Sequence, residues 1–93
     1  MILREKVTID IGGQSVDTYA EVIPLTTTQS AEIQGWSSAM VNYRIILPPL
    51  AQQDIPQSTD SIRWNGTVYQ MLGPCMRHHI NGKLHHLEAF ISR

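Results

Sequence analysis

Four histidines form the cluster in this sequence whose residue type could bind a metal ion. They are His78, His79, His85 and His86, and they lie on either side of an Asn81-Gly82 pair. A two-residue turn at that pair predicts His78 opposite His85, with Arg77 opposite His86, so two imidazoles would share one face and could hold Zn²⁺. A third and a fourth ligand are missing from any familiar spacing. We therefore expect cross-strand polar pairing here, with no metal ion and no other cofactor.

Cys75 and His78 are the residues that come closest to a nucleophile with its base. Such a pair also needs a group that orients the histidine and an oxyanion hole, and the sequence indicates neither. The sequence contains no G-x-S-x-G motif and no H-E-x-x-H motif. It also contains no glycine-rich phosphate loop, since its Gly12-Gly13 pair is typical of a hairpin turn. The sequence therefore predicts no catalytic residues and a protein that is not an enzyme.

The composition describes a single folded domain that spans residues 1–93. A hydrophobic fraction of 42% is that of a folded chain, whereas a charged fraction of 16% is low for a monomer, so we expect a partner to cover some of the surface. The 7 basic and 8 acidic residues are interspersed. This distribution disfavours sequence-specific binding of DNA or RNA, and no basic residues accompany the aromatic ones as base stacking would require.

Cys75 is the only cysteine, so the chain cannot form an internal disulfide bond. No signal peptide is recognisable, and no apolar run is long enough to span a membrane. We therefore expect synthesis in a reducing cytoplasm and no association with a membrane.

The histidines follow a central hairpin that extends from Asp60 to Gly73. Its turn is Asn65-Gly66, a pair that tolerates the positive φ angles of a type I′ turn. A two-residue turn also fixes the register, which places Trp64 opposite Thr67 and Ile62 opposite Tyr69. One face then carries large apolar side chains that need burial against other strands, namely Ile62, Trp64, Tyr69 and Met71.

Alternating residues predict further strands before and after this hairpin. The first extends to Ile11, turns at Gly12-Gly13 and pairs with a second strand from Val16 to Ile23, in which Tyr19 is the expected core aromatic residue. A third strand covers Val41 to Leu47, and a last one covers His86 to Ile91. The count of six or seven short strands predicts an all-β fold, a small antiparallel β-barrel or sandwich.

Two features interrupt this series of strands. Ser30 could cap one short helical turn, and Trp36, soon after it, is either a lid on the core or an exposed anchor for another subunit. The second feature is the long loop from Pro48 to Thr59, which has no periodicity and contains no Lys or Arg. We expect this loop to have a function, to contribute little to the core and to bind no polyanion.

Taken together, these residues form a pattern that resembles a known family. The residues that carry the resemblance are Asp60-x-Ile62-x-Trp64-x-Gly66-x-x-Tyr69-x-x-x-Gly73-Pro74, followed by Gly82, His86-x-Glu88 and a terminal basic residue. This pattern resembles the C-terminal half of the head-to-tail stopper (head closure) proteins of long-tailed bacteriophages. The earlier order of strands and the Leu-Pro that ends the third strand are similar too. The resemblance is specific from about Tyr43 to Arg93, and the histidine-rich run goes beyond the family's pattern.

This resemblance implies a structural virion protein of the phage neck. It implies a homo-oligomeric ring that lies under the portal and adaptor proteins, receives the tail terminator and tail tube below, and closes the channel through which double-stranded DNA passes. The implied channel-gating loop contains Pro48, Pro49, Leu50, Gln52, Gln53, Asp54, Ile55, Pro56 and Gln57. The implied core and turn residues are Trp64, Asn65, Gly66, Tyr69, Gly73 and Pro74. The candidate interface residues are Trp36, His86, Glu88 and Arg93.

Other functions remain open on the sequence alone. A tail-completion or adaptor protein of the same neck would carry the same W-x-G-x-x-Y pattern. A monomeric barrel that binds a small ligand or nucleic acid is a second class, which oligomeric state separates from a ring. A metal-dependent enzyme built on the histidines is a third class, which metal analysis of the purified protein would settle.

Overall fold

The computed structural model describes residues 2–25 and 42–93, and its architecture is all-β, as the sequence predicts. The long loop contains a 3₁₀ turn, Gln52–Asp54. No helix in these two ranges is long and apolar enough to cross a membrane. The strands are β1 (Glu5–Ile11), β2 (Gln14–Pro24), β3 (Asn42–Leu47), β4 (Ser61–Trp64), β5 (Thr67–Met71), β6 (Met76–Ile80) and β7 (Lys83–Ser92).

Six of the strands close into an antiparallel barrel, and β6 lies outside it. The strand order is β3-β2-β1-β4-β5-β7-β6, and an additional pairing of β3 with β7 completes the ring. The length of β7 makes this closure possible. One edge of β7 pairs with β6 as far as Glu88 and then with β5 at Ile91 and Ser92, while β3 occupies the other edge from Leu87 to Ser92.

Three tight turns set the register of the hairpins. Asn65 and Gly66 have φ angles of 53° and 78°, so the central hairpin turns as the sequence predicts, with Ile62 opposite Tyr69 and Trp64 opposite Thr67. Gly12-Gly13 and Asn81-Gly82 also have positive φ angles. Only glycine and, to a lesser degree, asparagine adopt this conformation without strain, which explains their positions in the sequence.

The barrel interior holds one hydrophobic core. Ile9, Ile45 and Ile62 have no exposed surface, and each comes from a different strand. Burial of such a side chain contributes about 1.5–3 kcal/mol relative to leaving it exposed to solvent. The other core residues are Val7, Ala20, Leu47, Ile55, Tyr69, Met71, Cys75, Leu87, Ala89 and Ile91.

Tyr19 does not belong to this core, and its predicted burial is wrong, because 56% of its surface is exposed. The register between β1 and β2 explains the difference. Val7 pairs with Thr18 and Glu5 pairs with Ala20, which turns the even-numbered residues of β2 inward and Tyr19 outward. The aromatic residue of the core is instead Tyr69, and Tyr43 and Trp64 pack against the core from β3 and β4.

The helical turn predicted at Ser30 and the residue Trp36 lie outside the described residues, as does Val41 at the predicted start of the third strand. From Asn42 onward the third strand extends to Leu47 as predicted.

Candidate functional site

The loop from Pro48 to Thr59 is anchored in the core, so the prediction that it contributes little there is wrong. Ile55 is 7% exposed, Pro56 is fully buried, and Leu50 packs against the core from the side. Apart from the prolines, Ile55 and Leu50 carry the large apolar side chains of the loop. Their burial offsets the conformational entropy that is lost when a long loop becomes ordered.

Local hydrogen bonds hold the loop on both sides of this anchor. The amide of Asp54 donates to the carbonyl of Ala51 over 2.8 Å, which closes the 3₁₀ turn just before Ile55. The amide of Gln57 donates to a carboxylate oxygen of Asp60 over 2.7 Å. The backbone is therefore fixed immediately before and after the buried pair.

The rest of the loop forms two exposed stretches, residues 51–53 and 57–59. Their side chains are neutral, and Asp54 is the one charged residue of the loop. The gating residues named from the sequence differ in exposure: Pro48, Leu50 and Asp54 are half-buried, and Pro49 is exposed. Ile55 and Pro56 hold the loop against the barrel, while Gln52, Gln53 and Gln57 face the solvent.

A hollow of about 200 Å³ lies between the loop and the start of β6. Its lining includes Gln52 and Pro56 on one side and Cys75 and Arg77 on the other. A side-chain nitrogen of Arg77 donates to the amide oxygen of Gln52 over 3.5 Å, which links the loop to β6. Burial raises the pKa of the Cys75 thiol, an effect that Arg77 opposes. A protonated, buried thiol is a poor nucleophile.

The predicted register of the histidine hairpin is wrong by one residue. His79 pairs with Leu84 as a two-residue turn requires, but His78 then pairs with His86 and not with His85. His85 is the additional residue of a β-bulge in β7, and Arg77 consequently lies opposite Leu87. Because the sequence carries no separate signal for this bulge, spacing from the turn alone gives the wrong pair.

The bulge brings three histidines together on the outside of the hairpin. The rings of His78 and His86 are stacked, with 4.6 Å between their centroids, and His85 meets His86 edge-on at 5.2 Å. The Nδ1 atoms of His85 and His86 are 2.9 Å apart, which is a hydrogen-bond distance. Burial lowers the pKa of His86, and its histidine neighbours add to this effect while Glu88 opposes it.

Glu88 completes the cluster, and sequence spacing did not find it as a partner of the histidines. One carboxylate oxygen lies 3.3 Å from Nε2 of His78 and 3.9 Å from Nε2 of His86, and the other lies 3.0 Å from Nε of Arg44. Only 15% of the Glu88 side chain is exposed. Glu88 lies two residues after His86, on the same face of β7, which is the signal that could have identified it.

The core and turn residues named from the sequence lie at the central hairpin and just after it. Tyr69 is buried, and burial raises the pKa of its hydroxyl. Trp64 is half-buried, and its ring meets Tyr43 edge-on with 5.3 Å between centroids. Gly73 has a φ angle of 85° and turns the chain after β5, with Pro74 exposed beside it. Among the candidate interface residues, Arg93 is exposed.

No protein-family model matches this chain, and a search of curated proteins finds no significant match.

Proposed function

We propose that this protein is a head-to-tail stopper of a bacteriophage neck. It assembles as a homo-oligomeric ring under the portal and adaptor, closes the DNA channel after packaging and presents the surface to which the tail attaches. The observation that carries the proposal is the loop from Pro48 to Thr59. Two buried residues anchor it to a closed barrel, while its exposed stretches are neutral and lack Lys and Arg. The pattern from Asp60 to Pro74 supports the same assignment by its resemblance.

A gate must obstruct DNA and later let it slide. Each contact between a basic side chain and a phosphate adds affinity, and many such contacts would slow the passage of DNA during ejection. The exposed glutamines and the exposed Ser58 and Thr59 make no such ion pairs. Burial of Ile55 and Pro56 holds each loop at a fixed position on its barrel. In a ring, several loops held in this way around the axis would together obstruct the DNA channel.

The strands also expose apolar side chains that a ring would cover. Tyr19 and Ile80 are 56% and 53% exposed, and Val68 is 49% exposed. Burial of such residues between subunits is favourable, and it would compensate for the small core of a 93-residue chain. A low content of charged residues fits the same arrangement.

Disulfide trapping in assembled particles tests the gate directly. Gln53→Cys places a thiol on the exposed part of the loop, and Lys83→Cys places one on an exposed residue of the β6–β7 hairpin as the matched control. If the loops meet around the channel, mild oxidation cross-links subunits through Cys at position 53 and blocks DNA ejection. A reductant should then restore ejection, and Lys83→Cys particles should eject normally throughout.

Two outcomes would contradict the proposal. Absence of the protein from the head-tail junction of the particles, seen by antibody labelling, would exclude a neck function. Cross-linking at position 53 with unchanged ejection would exclude the gate and favour a loop that docks to a neighbouring ring.

A further inference from the structure

Three side chains of the β6–β7 hairpin hold potential metal-binding atoms close together. One ring nitrogen of His78, one ring nitrogen of His86 and a carboxylate oxygen of Glu88 all lie within 4.8 Å of one another. Nε2 of each histidine lies near the same Glu88 oxygen, at 3.3 Å for His78 and 3.9 Å for His86. The residues come from both strands of the hairpin, so the fold holds them together, and His86 and Glu88 are adjacent on one face of β7.

These atoms do not satisfy one another as hydrogen-bond partners. Nε2 of His78 is shielded from solvent and has no hydrogen-bond partner among the described residues, although the Glu88 carboxylate is 3.3 Å away. A shielded polar atom without a partner is unfavourable. A cation between the three atoms would be contacted by all of them and would remove this cost.

Two neighbouring side chains orient the ligands. Arg44 forms an ion pair with one oxygen of Glu88 over 3.0 Å, which leaves the other oxygen to face the histidines. His85 lies with its Nδ1 2.9 Å from Nδ1 of His86. When the neutral His86 ring carries its hydrogen on Nδ1, it donates a hydrogen bond to Nδ1 of His85. The Nε2 lone pair of His86 is then free for a metal ion. Partners of this kind fix the tautomer and the ring orientation in known metal sites.

We propose that His78, His86 and Glu88 bind one Zn²⁺ ion, with water as the fourth ligand. Two imidazoles and one carboxylate are a donor set that zinc uses in proteins. At bond lengths of about 2.0–2.2 Å, the donor atoms of a tetrahedral site lie about 3.3–3.5 Å apart. The distances of 3.3 and 3.9 Å from Glu88 to the two histidines are close to that spacing. The two imidazole planes are parallel within 5°, so one ring must turn until both nitrogen lone pairs meet at the ion.

The site is independent of the proposed neck function, because all its ligands belong to one chain. The expectation of a metal-free hairpin rested on His78 lying opposite His85, which left only two ligands. With the bulge in place, His86 replaces His85 opposite His78, and Glu88 becomes the third ligand.

Titration of the purified 93-residue chain with Zn²⁺ by calorimetry, and with Co²⁺ by visible absorption, tests the proposal. We expect one ion per chain and a rise in Tm on addition of Zn²⁺. Glu88→Gln and His78→Gln should each weaken binding about tenfold or more, and Co²⁺ should give the intense visible bands of a tetrahedral site in the unchanged chain but not in these two variants. His79→Gln is the matched control, because His79 is on the same strand but outside the cluster, and it should bind normally.

Several results would overturn the site. These are no binding at a ratio of one ion per chain, unchanged affinity in both Glu88→Gln and His78→Gln, or an equal loss in His79→Gln. Circular dichroism of each variant shows whether it is folded, and since His78 is 43% exposed, His78→Gln leaves the barrel core intact and keeps the test decisive.

Discussion

The imidazole rings of His78 and His86 lie parallel, with 4.6 Å between their centroids and 5° between their planes. The stack holds β6 against β7, and among the described strands β7 is the only one that pairs with β6. The hairpin is therefore an extension of the barrel whose order depends on its own turn and cross-strand contacts. Such a segment opens more readily than strands inside a closed barrel.

Gly82→Ala should loosen this hairpin and leave the barrel intact. Gly82 has a φ angle of 77°, a conformation that costs a residue with a Cβ atom about 1–2 kcal/mol. Hydrogen exchange is the appropriate measurement, because it reports local opening. We expect faster exchange at the amides of β6 and unchanged exchange at those of β1 and β4. An equal acceleration in all strands would show that the hairpin unfolds only together with the barrel.

Ile62→Ala should destabilise the whole domain. Ile62 is fully buried at the centre of the core, so truncation removes apolar contacts and leaves a cavity, at a cost of about 2–5 kcal/mol. Val68→Ala is the control on the neighbouring strand, since Val68 is 49% exposed, and it should change stability by about 0.5 kcal/mol or less. Urea unfolding of both variants measures the difference, and similar costs would mean that the two faces of the hairpin are misassigned.

The sequence was sufficient to predict the central hairpin and the fold class. Asn65-Gly66 permits one short turn, and that turn leaves a single register, so the face with Ile62 and Tyr69 follows from local chemistry. The same reasoning failed at the histidines. There the register depends on a bulge at His85, which no local residue pattern specifies.

The errors at Tyr19 and in the long loop have a related physical cause. Tyr19 has the residue type of a core position, but pairing with β1 decides which face of β2 points inward. Ile55 and Pro56 lie in an aperiodic segment, so periodicity could not show that they are buried. In both places tertiary contacts, which are absent from local sequence, determine burial.

The ion pair between Asp10 and Arg63 should make stability depend on pH in the acid range. Arg63 donates to both oxygens of Asp10, over 2.7 and 3.0 Å, and Ser15 donates to one of them. The hydrogen bond from Arg63 is the largest cause that holds the pKa of Asp10 below its ordinary value of 3.8. The folded state binds the Asp10 proton less readily than the unfolded state does. The contribution of the ion pair to stability is therefore complete at pH values above the ordinary pKa of Asp10 and is lost as the pH falls below it.

Asp10→Asn is the variant that tests this dependence. It should be less stable than the unchanged protein near neutral pH, and the difference should shrink as the pH falls below about 4. The effect should be small and should weaken with added salt, because the Arg63 side chain is 49% exposed. Urea unfolding at several pH values measures it. A difference that stays constant down to pH values below 3 would show that the lowered pKa of Asp10 does not stabilise the fold.

Ile55→Ala should release the long loop and, through it, the proposed gate. Ile55 is 7% exposed in the core, so we expect a loss of about 2–3 kcal/mol in the free energy of unfolding. Gln53→Ala is the matched control within the same loop, because Gln53 is exposed and should change stability by about 0.5 kcal/mol or less. If anchoring gives the gate its fixed base, particles with Ile55→Ala should assemble at reduced temperature yet lose DNA from filled heads, whereas particles with Gln53→Ala should retain it. An Ile55→Ala protein as stable as the unchanged chain would mean that the loop is not held by the core. A destabilised Ile55→Ala variant whose heads retain DNA would mean that the gate does not depend on burial of Ile55.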